Sequence, residues 1–161
     1  MDKKRVKRTI LFIALGIVVF MLAGQVSAHL IYAKTNSLDY RWFIKKEVQD
    51  LSQLRKGEYV TVPHFTKDIE NCNPCRLTKK IACVEGDELT VTGNQFFCNH
   101  EWVATAKEIS LKGKPLVHFE WNGTIPERKL FLAGSHKDSY DSRYFGFKEK
   151  KDVEVIAVPL F

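Results

Sequence analysis

Several signatures are missing from this chain, and their absence narrows the chemistry open to it. There is no Gly-rich phosphate loop ending in Lys-Ser/Thr and no dinucleotide fingerprint, so chemistry built on nucleotide phosphates or a nicotinamide has no sequence support. No internal repeat and no second long amphipathic helix is visible, which excludes a solenoid or a helical bundle. At 161 residues the chain suits one globular domain of fair core size plus whatever the N-terminus adds. The formal charge of +6 does not imply a nucleic-acid partner. Lys3, Lys4, Arg5, Lys7 and Arg8 stand against Asp2 in the first eight residues, leaving 20 bases against 18 acids elsewhere, so the basic excess is an N-terminal arm.

The most pointed absence follows that arm. Residues 9–33 contain no Asp, Glu, Lys or Arg, and residues 10–24 are wholly apolar. As a helix the 25-residue run would reach roughly 37 Å, against a hydrocarbon core of about 30 Å. Bases before it and the bulk of the chain after it predict a transmembrane helix at 9–33, with residues 1–8 in the cytoplasm and residues 34–161 exported. A cleavable signal peptide is the alternative, because Val26-Ser27-Ala28 offers small residues where processing needs them. Both readings export the domain.

Four cysteines fit an oxidising exterior, and three pairings are open. Cys83 and Cys98 flank a predicted hairpin, and a bridge there would contribute roughly 3 kcal/mol on the chain-entropy estimate. Cys72-Asn-Pro-Cys75 then forms either a second, tight bridge or a pair of thiols. A zinc set of Cys72, Cys75, Cys98 and His100 is cramped by the single residue between Cys98 and His100. A thioredoxin-like role lacks the surrounding βαβ pattern.

Past the apolar run, Tyr40, Trp42 and Phe43 suit either a membrane interface or a small core. A short helix is expected over 46–54, stopped by Gly57. Strands are expected at 59–62, 81–84, 88–92, 101–105, 116–121, 129–133 and 153–158, with 96–97 completing the hairpin. Gly86-Asp87, Gly93-Asn94 and Asn122-Gly123 mark turns. The fold class is therefore mainly β.

Residues 134–146, GSHKDSYDSRYFG, place hydroxyls, acids and an arginine between glycines directly after an apolar run. Read as the end of a strand, they present Ser139, Asp141 and Arg143 on one face. Three other blocks precede them in order: Thr35-Asn-Ser37-Leu, then residues 55–62 (RKGEYVTV), then residues 79–87 (KKIACVEGD). Together with an Ile125-Pro-Glu turn, these blocks resemble the type I signal peptidases of family S26, membrane-bound serine proteases with a Ser–Lys dyad. The similarity spans nearly the whole chain. Gly134-Ser-His136 stands where ordinary leader peptidases have Gly-Asp-Asn, and with Thr-x-Ser-Leu it is similar to the conjugative-transfer, TraF-type branch that matures pilins. One departure is Asp39, where the family commonly has proline.

The resemblance implies a signal-peptidase-like β-rich catalytic domain on a single N-terminal transmembrane helix, in a bacterial inner membrane with the domain in the periplasm. Ser37 becomes the nucleophile and Lys79 its general base. The oxyanion hole is formed by the Ser37 backbone N–H and the Thr35 hydroxyl. Ser139 orients Lys79, Asp141 and Arg143 brace Ser139 as an ion pair, and His136 has a supporting place. No cofactor or metal is implied. Partners are a pilin precursor or another signal-bearing preprotein, and membrane lipid, with no nucleic acid. The chemistry agrees, since a serine hydroxyl needs a base and a lysine serves only once burial lowers its pKa. Lys80 is the rival base, because consecutive strand residues face opposite ways. A His136-based triad with Asp138 or Asp141 has no serine fixed near it, and His29, His64, His100 and His118 read as ordinary positions. The function implied is removal of the leader or terminal segment of a pilin precursor for conjugative transfer, with closure of the pilin into a ring as a further outcome; broad leader-peptide cleavage and a non-catalytic tethered β-domain are the competing functions.

Overall fold

A computed structural model describes residues 3–67 and 72–160. Two compact units are distinguished, Met1–Leu30 and Ile31–Phe161. The first holds helix α1, Lys3–Ala28. The helix carries the basic arm directly into the apolar run, but it stops short of the 9–33 boundary expected from composition. Residues Leu30–Tyr32 form strand β1 instead, because extended Ile31 and Tyr32 join a sheet. Among the described residues no helix is long and apolar enough to cross a membrane.

The second unit is built on two sheets. Its further elements are β2 (Trp42–Lys46), β3 (Tyr59–His64), β4 (Cys75–Val84), β5 (Glu88–Thr92), β6 (Gln95–Cys98), β7 (Glu101–Thr105), β8 (Asn122–Thr124), β9 (Lys129–Ala133), α2 (Ser142–Phe145), β10 (Lys148–Glu149) and β11 (Val155–Pro159). The larger sheet has the order β1-β2-β11-β3-β4-β9-β10 and the smaller β7-β6-β5-β8.

Strands β4 and β9 are central because both of their faces are buried. On one side Ile81, Leu130 and Leu132 pack with Val60, Val62 and Leu54. On the other, Cys83, Phe131 and Ala133 join Leu89 and Phe96 of the smaller sheet and Ile125, just past the end of β8. A bulge between Ile81 and Cys83 lets Ala82 and Cys83 both reach this second core. The disulfide between Cys83 and Cys98 crosses it, linking β4 to β6. Asp87, in the turn after β4, fastens the same corner: its carboxylate accepts the Val84 N–H at 2.9 Å and the Asn99 side-chain amide at 2.9 Å.

Three expected elements differ. The helix over 46–54 is absent: Lys46 pairs with Ile156 at the end of β2, and only Leu51–Gln53 turns, as a 3₁₀ segment capped by the Asp50 carboxylate. Residues 116–121 are a loop rather than a strand, because Phe119 and Trp121 turn their rings onto Phe147 and the Phe119 N–H is taken by the Arg143 carbonyl at 2.7 Å. Asn122-Gly123 is then not a turn but the start of β8. Finally, residues 134–146 do not continue β9 as an alternating strand; they leave it as a loop that closes into the one-turn helix α2.

Candidate active site

Lys79 owes its setting to register. It lies in the middle of β4, opposite Val60 of β3, and shares its face with Leu77 and Ile81. Its side chain is buried, whereas Lys80 is exposed on the other face. Burial among apolar groups pushes the Lys79 ammonium from its usual 10.5 down to about 8; the Asp141 charge opposes this and the Arg143 charge assists it. The amine donates to the Ser139 hydroxyl at 2.8 Å.

Ser139 is itself fixed from behind. Its N–H donates to the His136 carbonyl at 3.1 Å, and its own carbonyl accepts from Arg143 Nη2 at 3.0 Å. Arg143 and Asp141 are both fully buried and joined bidentately, Nε to Oδ1 at 2.8 Å and Nη2 to Oδ2 at 2.7 Å. Burial works against the Arg143 charge, but Asp141 more than offsets it and the guanidinium pKa is raised. The remaining donors reach the Thr105 carbonyl of β7 at 2.7 Å and the His136 carbonyl at 3.1 Å. Asp141 in turn accepts the Gly134 N–H at 2.8 Å and caps α2 through the Arg143 N–H. The alternation expected for a strand end was therefore the wrong local geometry, yet a loop and a helical cap bring the same three residues together.

Ser37 sits in a turn and is half-buried. Its hydroxyl accepts a hydrogen bond from the exposed Thr35 hydroxyl at 3.1 Å, and its carbonyl accepts the His136 N–H at 3.4 Å. Gly134 lets the two halves meet. A Cβ on that residue would overlap the Ser37 carbonyl oxygen and the Ser139 hydroxyl, and would stand 2.7 Å from Ser139 Cβ. The Ser37 turn is thus against Ser139, and Ser139 is against Lys79. Among the described residues no hydrogen bond joins the Ser37 hydroxyl to the Lys79 amine; each has a hydroxyl partner instead.

His136 contributes through its backbone, which binds Ser37, Ser139 and Arg143, while its ring accepts from the Asp138 N–H at 3.2 Å. The structure joins Cys72 with Cys75 as well as Cys83 with Cys98, so the four-ligand zinc set weighed from spacing is not assembled. Two contributors escaped the sequence reading. Ser142 was legible only as part of the block; its hydroxyl accepts the Leu132 N–H at 2.9 Å and ties α2 to β9. The close approach at Gly134 had no signal beyond a glycine at a strand end.

No curated protein matches the chain. Among solved structures it is similar to a signal peptidase I from Enterococcus faecalis V583, at 19% identity over 65% of this chain and 96% of that one, with a TM-score of 0.44. The family model described as signal peptidase, peptidase S26, matches residues 3–160. With that match extending over nearly its whole length, the chain belongs to the S26 signal peptidases and is a serine-type hydrolase of leader peptides.

Proposed function

We propose that Ser37 is the nucleophile and Lys79 the general base of this peptidase, acting on a conjugative pilin precursor at the outer face of a bacterial inner membrane. The observation that carries the dyad is the buried Lys79 amine held 2.8 Å from Ser139 with a pKa near 8. At pH 7 roughly a tenth of such amines are neutral, against on the order of one in three thousand for an ordinary lysine.

In the reaction the Ser37 hydroxyl leaves Thr35 for Lys79 Nζ, which takes its proton as Oγ bonds to the substrate carbonyl carbon. The oxyanion accepts from the Ser37 N–H and from the Thr35 hydroxyl, which turns from Ser37 to the new charge. Collapse expels the amine of the mature chain, which receives the proton from Lys79. Water then attacks the Ser37 ester and gives its proton to Lys79, and the leader acid departs as Oγ is reprotonated. Where the bond cut lies before a C-terminal segment of the pilin, that segment leaves as the amine and the pilin is the acyl group on Ser37; attack by its own amino terminus, which gives its proton to Lys79, then expels Oγ, which is reprotonated, and closes a peptide bond into a ring.

The periplasmic placement is supported by the basic arm before the uncharged residues 9–33 and by two disulfides suited to an oxidising compartment. The basic arm would remain cytoplasmic and the uncharged part of α1, residues 9–28, would anchor the domain in lipid. The pilin substrate is supported by the resemblance of Gly134-Ser-His136 and Thr35-Asn-Ser37-Leu to the conjugative branch. Mass spectrometry of a pilin precursor incubated with the wild type and with Ser37→Ala tests it. Loss of the leader only with the wild type supports hydrolysis at Ser37, and the further loss of one water from the mature chain marks ring closure. Equal processing of unrelated secretory precursors would instead indicate a general leader peptidase.

A further inference from the structure

A cavity of about 630 Å³ opens where β4 and β9 of the larger sheet face β7 of the smaller, on the side of β4 away from Lys79. Neither Ser37 nor Lys79 lines it, but Gly134, which lies against the Ser37 carbonyl, Ser135, and Asp39, two residues beyond Ser37, do. Its apolar wall includes Trp102, 60% exposed. Its charges divide into two groups. Lys56 is paired with Glu101 at 2.9 Å and Arg143 with Asp141 at 2.7 Å. Lys80 and Lys137 line the same cavity, are exposed, and make no ion pair among the described residues. Asp39 is the opposing acid, so the unpaired charge on the lining is one positive unit.

We propose that this cavity binds the segment of the precursor on the C-terminal side of the scissile bond, and that Lys80 and Lys137 select an acidic side chain there, with a neighbouring apolar side chain resting on Trp102. Charge complementarity distinguishes the two ends of the substrate. A leader is apolar and ends in small uncharged residues, so it gains nothing from a lysine-lined mouth, whereas the exported mature side is free to carry acids. The assignment to the mature side rests on Ser37 as the acylated residue; the preference for an anionic peptide does not.

The test separates the two. Full-length Ser37→Ala protein in detergent is titrated calorimetrically with the end-capped peptide Ala-Ala-Ala-Glu-Leu-Glu, its Ala-Ala-Ala-Lys-Leu-Lys counterpart, and Glu-Leu-Glu-Ala-Ala-Ala. The first should bind about tenfold tighter than the second, on the order of one well-placed charge pair, and the added Lys80→Glu/Lys137→Glu pair should reverse that order. Trp102→Ala should weaken the first peptide, and Asp39→Asn should tighten it. Equal affinities for the acidic and basic peptides, an order unchanged by the charge reversal, or no measurable binding overturns the proposal; equal affinity for the third peptide overturns the mature-side placement. Residual precursor cleavage by Ser37→Ala would sink the catalytic assignment without altering these affinities.

Discussion

The two halves of the proposed site are built to opposite standards. Around Lys79 the side chains of Ser139, Asp141 and Arg143 are buried and held: the amine by Ser139, Ser139 by the His136 carbonyl and Arg143, and Arg143 by Asp141 and the Thr105 carbonyl. Ser37 is half-buried in a turn, and its hydroxyl has one side-chain partner, Thr35, itself exposed. The difference follows from what each half must do. A lysine becomes a base only if water is kept from it, so its surroundings are fixed in advance of substrate. A nucleophile must meet a substrate carbonyl and exchange one hydrogen bond for another, so it sits where the backbone is open. The Ser37 hydroxyl resting on Thr35 is then the free-enzyme arrangement, and substrate binding is what brings it to Lys79.

The largest effect should come from removing either half. Ser37→Ala and Lys79→Ala are each expected to lower kcat/KM for precursor cleavage by on the order of 10⁴-fold or more, and the double variant by no more than the worse single one, since groups that act as a unit are not additive. Additive losses, measured in a cleavage assay of the four proteins, would break the link between the halves.

Next in size is the bracing pair. Asp141→Ala leaves the Arg143 guanidinium buried without its counter-ion and frees the Gly134 N–H and the α2 cap, so a loss of roughly 3–5 kcal/mol is expected in denaturant unfolding. Thr35→Val acts on the other half. It should leave the unfolding midpoint unchanged while lowering kcat by about 10²–10³-fold, the cost of one oxyanion donor. A Thr35→Val enzyme with normal kcat would restrict Thr35 to holding Ser37 at rest.

How far this was legible depends on which physical signal each element carries. Strands β5, β7 and β9 were read to the residue, because short apolar or β-branched runs bounded by turn residues leave few alternatives. The loop at 116–121 was misread since its aromatic rings are spaced like a strand but point into a core that the sequence does not locate. At the site the block 134–146 drew attention through composition, and the structure brings its alternating residues Ser139, Asp141 and Arg143 together without the strand geometry expected of them. What composition could not carry is backbone: the His136 N–H and carbonyl, the Thr105 carbonyl, and the space beside Gly134 are contributed by atoms that every residue type shares.

The smallest predicted effect sharpens the contrast most, because it has opposite signs in stability and function. A lysine held near 8 in the folded state and near 10.5 when unfolded binds fewer protons folded than unfolded between those values. Folding is therefore penalised in full below about pH 8, by roughly 3 kcal/mol at 1.36 kcal/mol per unit, and the penalty is relieved as pH rises through that window. Lys79→Met fills the same apolar slot without the charge, though it leaves Ser139 without its donor at a cost of about 1 kcal/mol. The variant should be inactive yet more stable at pH 7 by roughly 2 kcal/mol, and in urea titrations its stability should lack the rise between pH 8 and 10.5 expected of the wild type. The same ionisation should appear in wild-type kcat/KM as a rise with an apparent pKa near 8. If the methionine protein is no more stable and the wild-type profile is flat across that range, Lys79 is an ordinary buried cation neutralised by Asp141, and the base must be sought elsewhere.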